Sequence, residues 1–344
     1  MSNKTVSVII PLYNSEEFVS DIVNAVKKQT FTDWELILVD DHSSDDTYNI
    51  AESLIDDNKI RLLKSDHKGV SSARNTGIRV SCGEYLSFID ADDDIDSEYL
   101  ASLVRNIKTS NADMVFQGYF EVDNNETKEI RFPWVGITTH EQIIEKVIPT
   151  LVYPIGNEIC PMMPVWRTIF SKKFLNQSGY CFDEGISNSE DFQLFLQLLF
   201  KCHCIYGSNE THYFYKRRNG SAMNSYIRDN LKKEFYVHDL FLRTLKENHF
   251  YDSVQKRYES NRMELYSHAI SNVARSSKNN SFKLNEIKEL RKAFLNDNLF
   301  NYSIRGLYVP LNVKVAMYLL KVNMLRTLLT IYSFKEKRRL NNLV

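Results

Sequence analysis

No uncharged apolar run in this 344-residue sequence approaches the ~20 residues needed to cross a bilayer, so no spanning helix is expected. Cysteine is sparse and odd in number: five, at Cys82, Cys160, Cys181, Cys202 and Cys204. Neither dense nor paired, they read as free thiols in a reducing compartment rather than as a disulfide framework. Cys202-His203-Cys204 has no second Cys or His pair at ligand spacing, which argues against zinc. A net charge of −1 argues against a nucleic-acid binder. No signal-peptide pattern precedes the first strand-like segment, no repeat recurs and no stretch is of low complexity. The expectation from these absences is a cytoplasmic globular protein.

What is present is unevenly spread. Residues 1–100 hold 20 Asp/Glu against 9 Lys/Arg, whereas residues 311–344 hold 7 Lys/Arg against the single Glu336. The front is acidic and the tail basic. Hydrophobic content of 43% with 25% charged residues gives an ordinary core, and the length suits two domains.

Along the front, short β-branched runs alternate with amphipathic stretches. "TVSVIIPLYN", "WELILVDD", "KIRLLKS", "EYLSFIDADD" and "ADMVFQGYFEV" read as strands. Between them, residues 16–29, "DDTYNIAESLIDD", "GVSSARNTGIRVS" and a segment capped by Ser97 read as helices. This alternation predicts a doubly wound, mostly parallel α/β sheet, in which ligands bind outside the carboxyl ends of the strands. Pro11 to Asn14, Asp40-Asp41 and Asp90 to Asp94 all fall at such ends, and so belong to one site. Beyond residue 125 the pattern loosens. Five of the seven prolines lie between Pro133 and Pro164, and that stretch reads as irregular binding surface. "SNSEDFQLFLQLLFK" is a helix start with Ser187 or Ser189 as N-cap and acids in its first turn, where the backbone N–H groups favour an ionised Asp191. From Tyr226 onward glycine nearly vanishes, which places a boundary near 225.

Five aspartates occupy positions 90, 92, 93, 94 and 96. Asp94 and Asp96 suit a turn that caps the following helix. An EF-hand is excluded because Ile95 and Ala101 stand where glycine and glutamate are required. A phosphatase-type Asp90 nucleophile with Asp92 as acid, and a receiver-type Mg²⁺ pair at Asp40-Asp41, remain rivals. Neither accounts for both carboxylate clusters together. A divalent cation that shares its coordination between carboxylates and a nucleotide diphosphate does.

The motifs "VSVIIPLYN", "LILVDDHSSDDT", "GVSSARNTGI", "YLSFIDADDDI" and "SEDFQLFLQLL" together resemble the inverting, nucleotide-sugar-dependent glycosyltransferases of family 2, which have the GT-A fold. The resemblance covers roughly residues 4–225. It implies a Rossmann-like catalytic domain over 1–225 and an α-helical C-terminal module over 226–344. It implies that Pro11 and Tyr13 line the nucleotide pocket, that Asp41 binds the base with Asp40 in support, and that Arg74 faces the phosphates. Asp90 and Asp92 would hold Mn²⁺ or Mg²⁺, with Asp92 the principal ligand. Asp191 would be the general base beside Glu190, and His212, Arg217 and Ser221 would belong to a segment closing over the diphosphate. The donor would be a nucleotide sugar, most simply a UDP-sugar, and the acceptor a hydroxyl of a bacterial surface glycan or lipid-linked glycan. A turnover-free nucleotide- or metal-binding module is the competing reading. His42 departs from the pattern, since glycine often stands there. For residues 311–344 three readings stay open: a helix packed on the protein, a peripheral membrane contact at the cytoplasmic face, and a homodimer contact.

Overall fold

The computed structural model describes residues 4–56, 58–123, 126–160, 163–186, 189–217, 226, 230–297 and 306–341. The chain divides into two compact units, one of residues 1–148 with 161–218, the other of 149–160 with 219–344.

The first unit is built on a ten-stranded sheet. β1 (Val6–Leu12) and β2 (Trp34–Asp40) are apolar through nearly their whole length, and they are buried on both faces because helices cover each side. β3 (Ile60–Lys64), β2, β1 and β4 (Tyr85–Phe88) lie side by side, all parallel. The intervening helices are α1 (Val19–Lys27), α2 (Thr47–Ser53) and α3 (Val70–Val80). α1 buries Val19, Ile22, Val23 and Val26, the stripe that 3.6-residue periodicity puts on one face. After the two-residue β5 (Asp94–Ile95) comes α4 (Tyr99–Ser110). Ser97 is not its cap. Glu98 holds that position without a side-chain cap bond, and Asp96 Oδ1 accepts the Glu98 N–H at 2.9 Å instead. Asp96 therefore serves the turn as expected, whereas Asp94 lies in β5 and pairs with Lys216 at 3.4 Å.

Parallel order stops beyond β4. β9 (Thr168–Ser171) runs antiparallel between β4 and β6 (Met114–Asp123), and β10 (Cys204–Arg217) then pairs parallel with β6. β7 (Glu126–Ile130) adds to β6, while β8 (Gly136–Thr139) and β5 add antiparallel to β10. α5 (Lys172–Ser178) follows β9, and α6 (Glu190–Leu199) leads into β10.

The second unit holds α7 (Asn230–Glu247), α8 (Tyr251–Arg275), α9 (Asn280–Asn296), α10 (Leu311–Lys321) and α11 (Leu325–Asn341). Its core joins Met263, Tyr266 and Ile270 of α8 to Ile287, Met317, Leu320 and Leu328. Residues 149–160, which the sequence reading kept with 1–225, pack in this unit. Arg257 donates to the Tyr153 carbonyl at 2.6 Å and forks onto the Glu158 carboxylate, and Tyr153 Oη donates to Glu264 at 2.8 Å. Those polar anchors carry no sequence period, so pattern alone could not assign the segment.

Gly207 in β10 faces the Trp134 backbone. A Cβ there would sit 1.8 Å from the Trp134 carbonyl oxygen, and backbone cannot swing aside as a long side chain can. Gly207→Ala is expected to destabilise the protein by at least the ~1–3 kcal/mol typical of overpacking, read as a lowered urea midpoint. An unchanged midpoint would show that the β8–β10 edge yields freely.

Candidate active site

The loops at the carboxyl ends of β1 and β2 are laced together. Asn14 takes a left-handed φ of +46° and accepts the Ser44 N–H at 2.8 Å, while the Ser15 N–H donates to Thr47 Oγ1 at 2.6 Å. His42 also adopts a left-handed φ, +60°, so the turn keeps the conformation glycine would take, at some cost in strain. Asp40 Oδ1 accepts the Ser43 N–H at 3.3 Å and braces that turn. Asp41 reaches the start of α3, accepting the Gly69 N–H on both oxygens (2.9 and 2.8 Å) and the Ser65 hydroxyl at 2.9 Å. Gly69, at φ +123°, holds a conformation that side chains resist.

These ends enclose a cleft of about 410 Å³ whose walls include Pro11, Tyr13, Phe18, Asp41, Val70, Arg74, Asp90, Asp92 and Glu190. Tyr13 is 61% exposed, an aromatic face at the rim rather than in the core. At the centre Arg74 is nearly buried and contacts three carboxylates: Asp90 at 3.1 Å, Glu190 at 2.8 Å and Asp191 at 3.0 Å. The Phe182 ring lies 5.3 Å from its guanidinium carbon, and Asn75 pins residue 182 through two backbone hydrogen bonds. Burial alone would weaken the guanidinium's hold on its proton, but Asp191, Asp90 and Glu190 outweigh it and raise its pKa. The sequence reading had Arg74 facing phosphate. Here it ties the Asp-Ala-Asp turn to the first turn of α6.

Asp191 Oδ2 accepts the Val165 N–H at 3.2 Å. Helix-start N–H groups were expected to favour the ionised form, but burial dominates and pushes Asp191 up to about 7, with repulsion from Glu190 and Asp90 adding to it. The Arg74 guanidinium and the Val165 N–H oppose that rise without cancelling it, although the Asp191 side chain keeps 19% of its surface exposed. Ser187 lies outside the described residues. Asp90 is raised as well, first by burial and then by Asp92, with Arg74 opposing.

Three contributors, Asp93, Tyr213 and Trp166, had no role of their own in the sequence reading. Asp93 is buried and accepts Tyr213 Oη at 2.6 Å and the Lys216 N–H at 3.0 Å, and the same Tyr213 oxygen accepts the Asp90 N–H at 3.3 Å. Burial, reinforced by Asp90, pushes Asp93 up to about 8. Trp166 stacks on Tyr213 and Tyr215 at centroid distances of 4.4 and 5.5 Å, and Tyr99 Oη donates to its carbonyl at 2.7 Å. That stack fixes the turn from which Val165 reaches Asp191. Nothing in sequence spacing marks these long-range partners.

Pro11, Tyr13, Asp41, Arg74, Asp90, Asp92 and Glu190 thus converge, with Asp40 and Asp191 immediately behind. His212 and Arg217 do not line the cleft. His212 Nδ1 pairs with Asp96 at 2.9 Å because Tyr213, the next residue, takes the site-facing position. Arg217 Nε pairs with Glu121 at 2.5 Å at the end of the β6–β10 ladder. Ser221 lies outside the described residues. Among the described residues no three His, Cys, Asp or Glu side chains form a ready metal cage. Two carboxylates, Asp90 and exposed Asp92, nonetheless fit Mg²⁺ or Mn²⁺, hard cations that keep other positions for water and phosphate oxygens.

The sequence profile described as Glycosyl transferase family 2 matches residues 7–174. The chain is 27% identical over 232 residues to the glycosyltransferase GlyG of Streptococcus pneumoniae, covering 65% of this chain and 74% of that one. It is 27% identical over 230 residues to the poly(ribitol-phosphate) β-N-acetylglucosaminyltransferase TarS of Staphylococcus aureus, covering 64% of this chain but only 37% of TarS. The crystal structure of TarS 1–349 with UDP-GlcNAc superposes at a TM-score of 0.65 with 18% identity, covering 97% of this chain and 92% of that one. A mannosyltransferase from Pyrobaculum calidifontis, solved with GDP-Man and Mn²⁺, gives 0.53 at 14% identity, over 98% of this chain and 87% of that one. At such identities these structures speak for the GT-A fold. The profile and the curated relatives mark this chain as a glycosyltransferase whose residues 7–174 match family 2.

Proposed function

We propose that the chain transfers a sugar, with inversion, from a UDP-sugar to a hydroxyl of a surface glycan or lipid-linked glycan, with Asp191 as general base. The observation that carries this reading is the Arg74 bridge. One buried guanidinium joins the Asp90 turn, on the donor side, to Asp191 at the start of α6. UDP is the favoured nucleotide because TarS, solved with UDP-GlcNAc, superposes better than the mannosyltransferase solved with GDP-Man. Sparse cysteines, odd in number, favour a reducing, cytoplasmic setting.

In this mechanism Tyr13 stacks the base at the rim, Pro11 shapes the pocket beneath it, and Asp41 accepts a hydrogen bond from base or ribose. Asp92 and Asp90 would hold a divalent cation, which when bound would offset charge growing on the departing diphosphate. Mn²⁺ in the Pyrobaculum mannosyltransferase complex supports that choice. Asp191 takes the acceptor's proton, with the Val165 N–H and Arg74 fixing its orientation and Glu190 sharing the guanidinium. Asp93, accepting from Tyr213 Oη and the Lys216 N–H, anchors the aspartate turn to β10. A module that binds nucleotide without turnover would keep the cleft but would not require a base poised near neutrality.

Asp191→Asn is expected to cut transfer by roughly 10²–10⁴ while UDP affinity stays within a few-fold by calorimetry. Glu190→Gln should cost less. A base must be unprotonated, so wild-type kcat/KM should rise with pH through about 7, and the residual rate of the Asp191→Asn variant should stay flat there. Lost nucleotide binding in Asp191→Asn would reassign the residue to the donor side.

Asp92→Ala should nearly abolish transfer and weaken UDP binding in Mn²⁺. Full activity in excess EDTA would remove the metal from the mechanism.

Asp93 carries a folded-state pKa of about 8 against an ordinary 3.8, so the native state binds the extra proton between those values. Its contribution favours folding at low pH and is lost as pH rises toward 8. In metal-free buffer, Asp93→Asn, which mimics the neutral acid, should flatten the fall in urea stability between pH 5 and 8. Parallel wild-type and variant curves would show that Asp93 is ionised throughout.

A further inference from the structure

We propose that α10 and α11 form a docking face for an anionic lipid surface. α10 is apolar on two sides. Its inward side buries Val313, Met317 and Leu320 in the core of the second unit. Its outward side shows Leu311 (76% exposed), Val315 (46%), Tyr318 (61%) and the C-cap Val322 (43%), spaced by four, three and four residues and hence on one stripe. Helices of soluble proteins normally turn polar residues outward, and a helix apolar all round lies against something. In α11, Ile331 and Phe334 are also exposed, the latter by 68%. Of the fifteen exposed large hydrophobics among the described residues, eight fall between Tyr308 and Phe334, so the pattern is a local concentration and not scatter.

Charge identifies the partner. Lys314 and Lys321 each stand one residue before a stripe position, Val315 and Val322, and Arg326, Lys335, Lys337 and Arg338 follow along α11. Glu336, the one acid in this stretch, is buried and turned toward Arg275 at 4.0 Å. Lys321, Arg326, Lys335, Lys337 and Arg338 are exposed and Lys314 is half-buried, so the outward sides of α10 and α11 each carry basic and apolar side chains together, which matches phosphate headgroups above acyl chains. A twofold contact with a second copy would set like charges against one another. Among the described residues no helix is long and apolar enough to cross a bilayer, so the contact lies in the interface plane. These observations are independent of the catalytic reading.

The test is co-sedimentation of the full chain with vesicles of phosphatidylcholine alone and of phosphatidylcholine with phosphatidylglycerol, at low and high salt. Binding to the anionic vesicles alone, weakened by salt, is expected. Leu311→Ser with Tyr318→Ser and Phe334→Ser, and separately Lys314→Glu with Lys321→Glu, should each lower vesicle affinity by about tenfold or more. UDP binding by calorimetry should not change, which shows that the variants are folded. No binding to anionic vesicles at low salt, or binding indifferent to both sets of substitutions, would overturn the proposal. So would a concentration-dependent dimer that the same substitutions dissociate, which would give the face to a second copy.

Discussion

Arg74 is the interaction on which the site depends. Taking a guanidinium and several carboxylates out of water is costly, and it is recovered only where geometry is good and most polar atoms are paired. Here a single cation serves Asp90, Glu190 and Asp191, each at 2.8–3.1 Å. With Asp92 and Asp93 adjacent, negative charge exceeds positive. Burial and mutual repulsion therefore raise Asp90, Asp93 and Asp191 together. A divalent cation arriving with a diphosphate would relieve the same imbalance. The electrostatics that make the cleft costly to fold also make it receptive to a metal–nucleotide pair.

Position follows from topology. Parallel strands bring the ends of β1, β2 and β4 to one edge of the sheet, and the sequence places Tyr13, Asp41 and Asp90 immediately after them. β9 then interrupts the parallel order. Because it runs antiparallel between β4 and β6, the turn before it, Val165–Arg167, arrives at the same edge from the opposite direction. That reversal lets a backbone N–H meet Asp191 and lets Trp166 stack under Tyr213.

The parallel half of the fold was legible because its signals are local. β1 and β2 are unbroken apolar runs, α1 has its stripe, and each strand ends in a polar cluster whose shared edge follows from the alternation alone. Asp41, Asp90, Asp92 and Asp191 could be named on that basis with the aid of a family resemblance. What could not be read depends on contacts distant in sequence. Asp93 looks like one more surface acid until Tyr213, 120 residues on, closes over it. The family resemblance put His212 in a segment closing over the diphosphate, yet alternation along a strand sends neighbours to opposite faces, and it is Tyr213 that enters. The segment 149–160 is joined to the helical unit through Tyr153 and Glu158, single polar residues with no period.

As the proposed base, Asp191 must meet two opposed demands. It must be protected well enough to be oriented, since an exposed carboxylate samples many rotamers, and yet it must be ionised when the acceptor arrives. Full burial without a partner would leave it protonated at neutral pH, while a full salt bridge of its own would leave it too weak a base to take a hydroxyl's proton. Sharing Arg74 with Asp90 and Glu190 gives an intermediate result. The guanidinium's field is divided among three carboxylates, the Val165 N–H adds one more donor, and the pKa comes to rest at about 7. Glu190 then has a physical reason to be present without touching the acceptor. By drawing on the same cation it keeps Asp191 from being over-stabilised, so the pair of acids at the start of α6 acts as a single tuned unit rather than as a base and a spare.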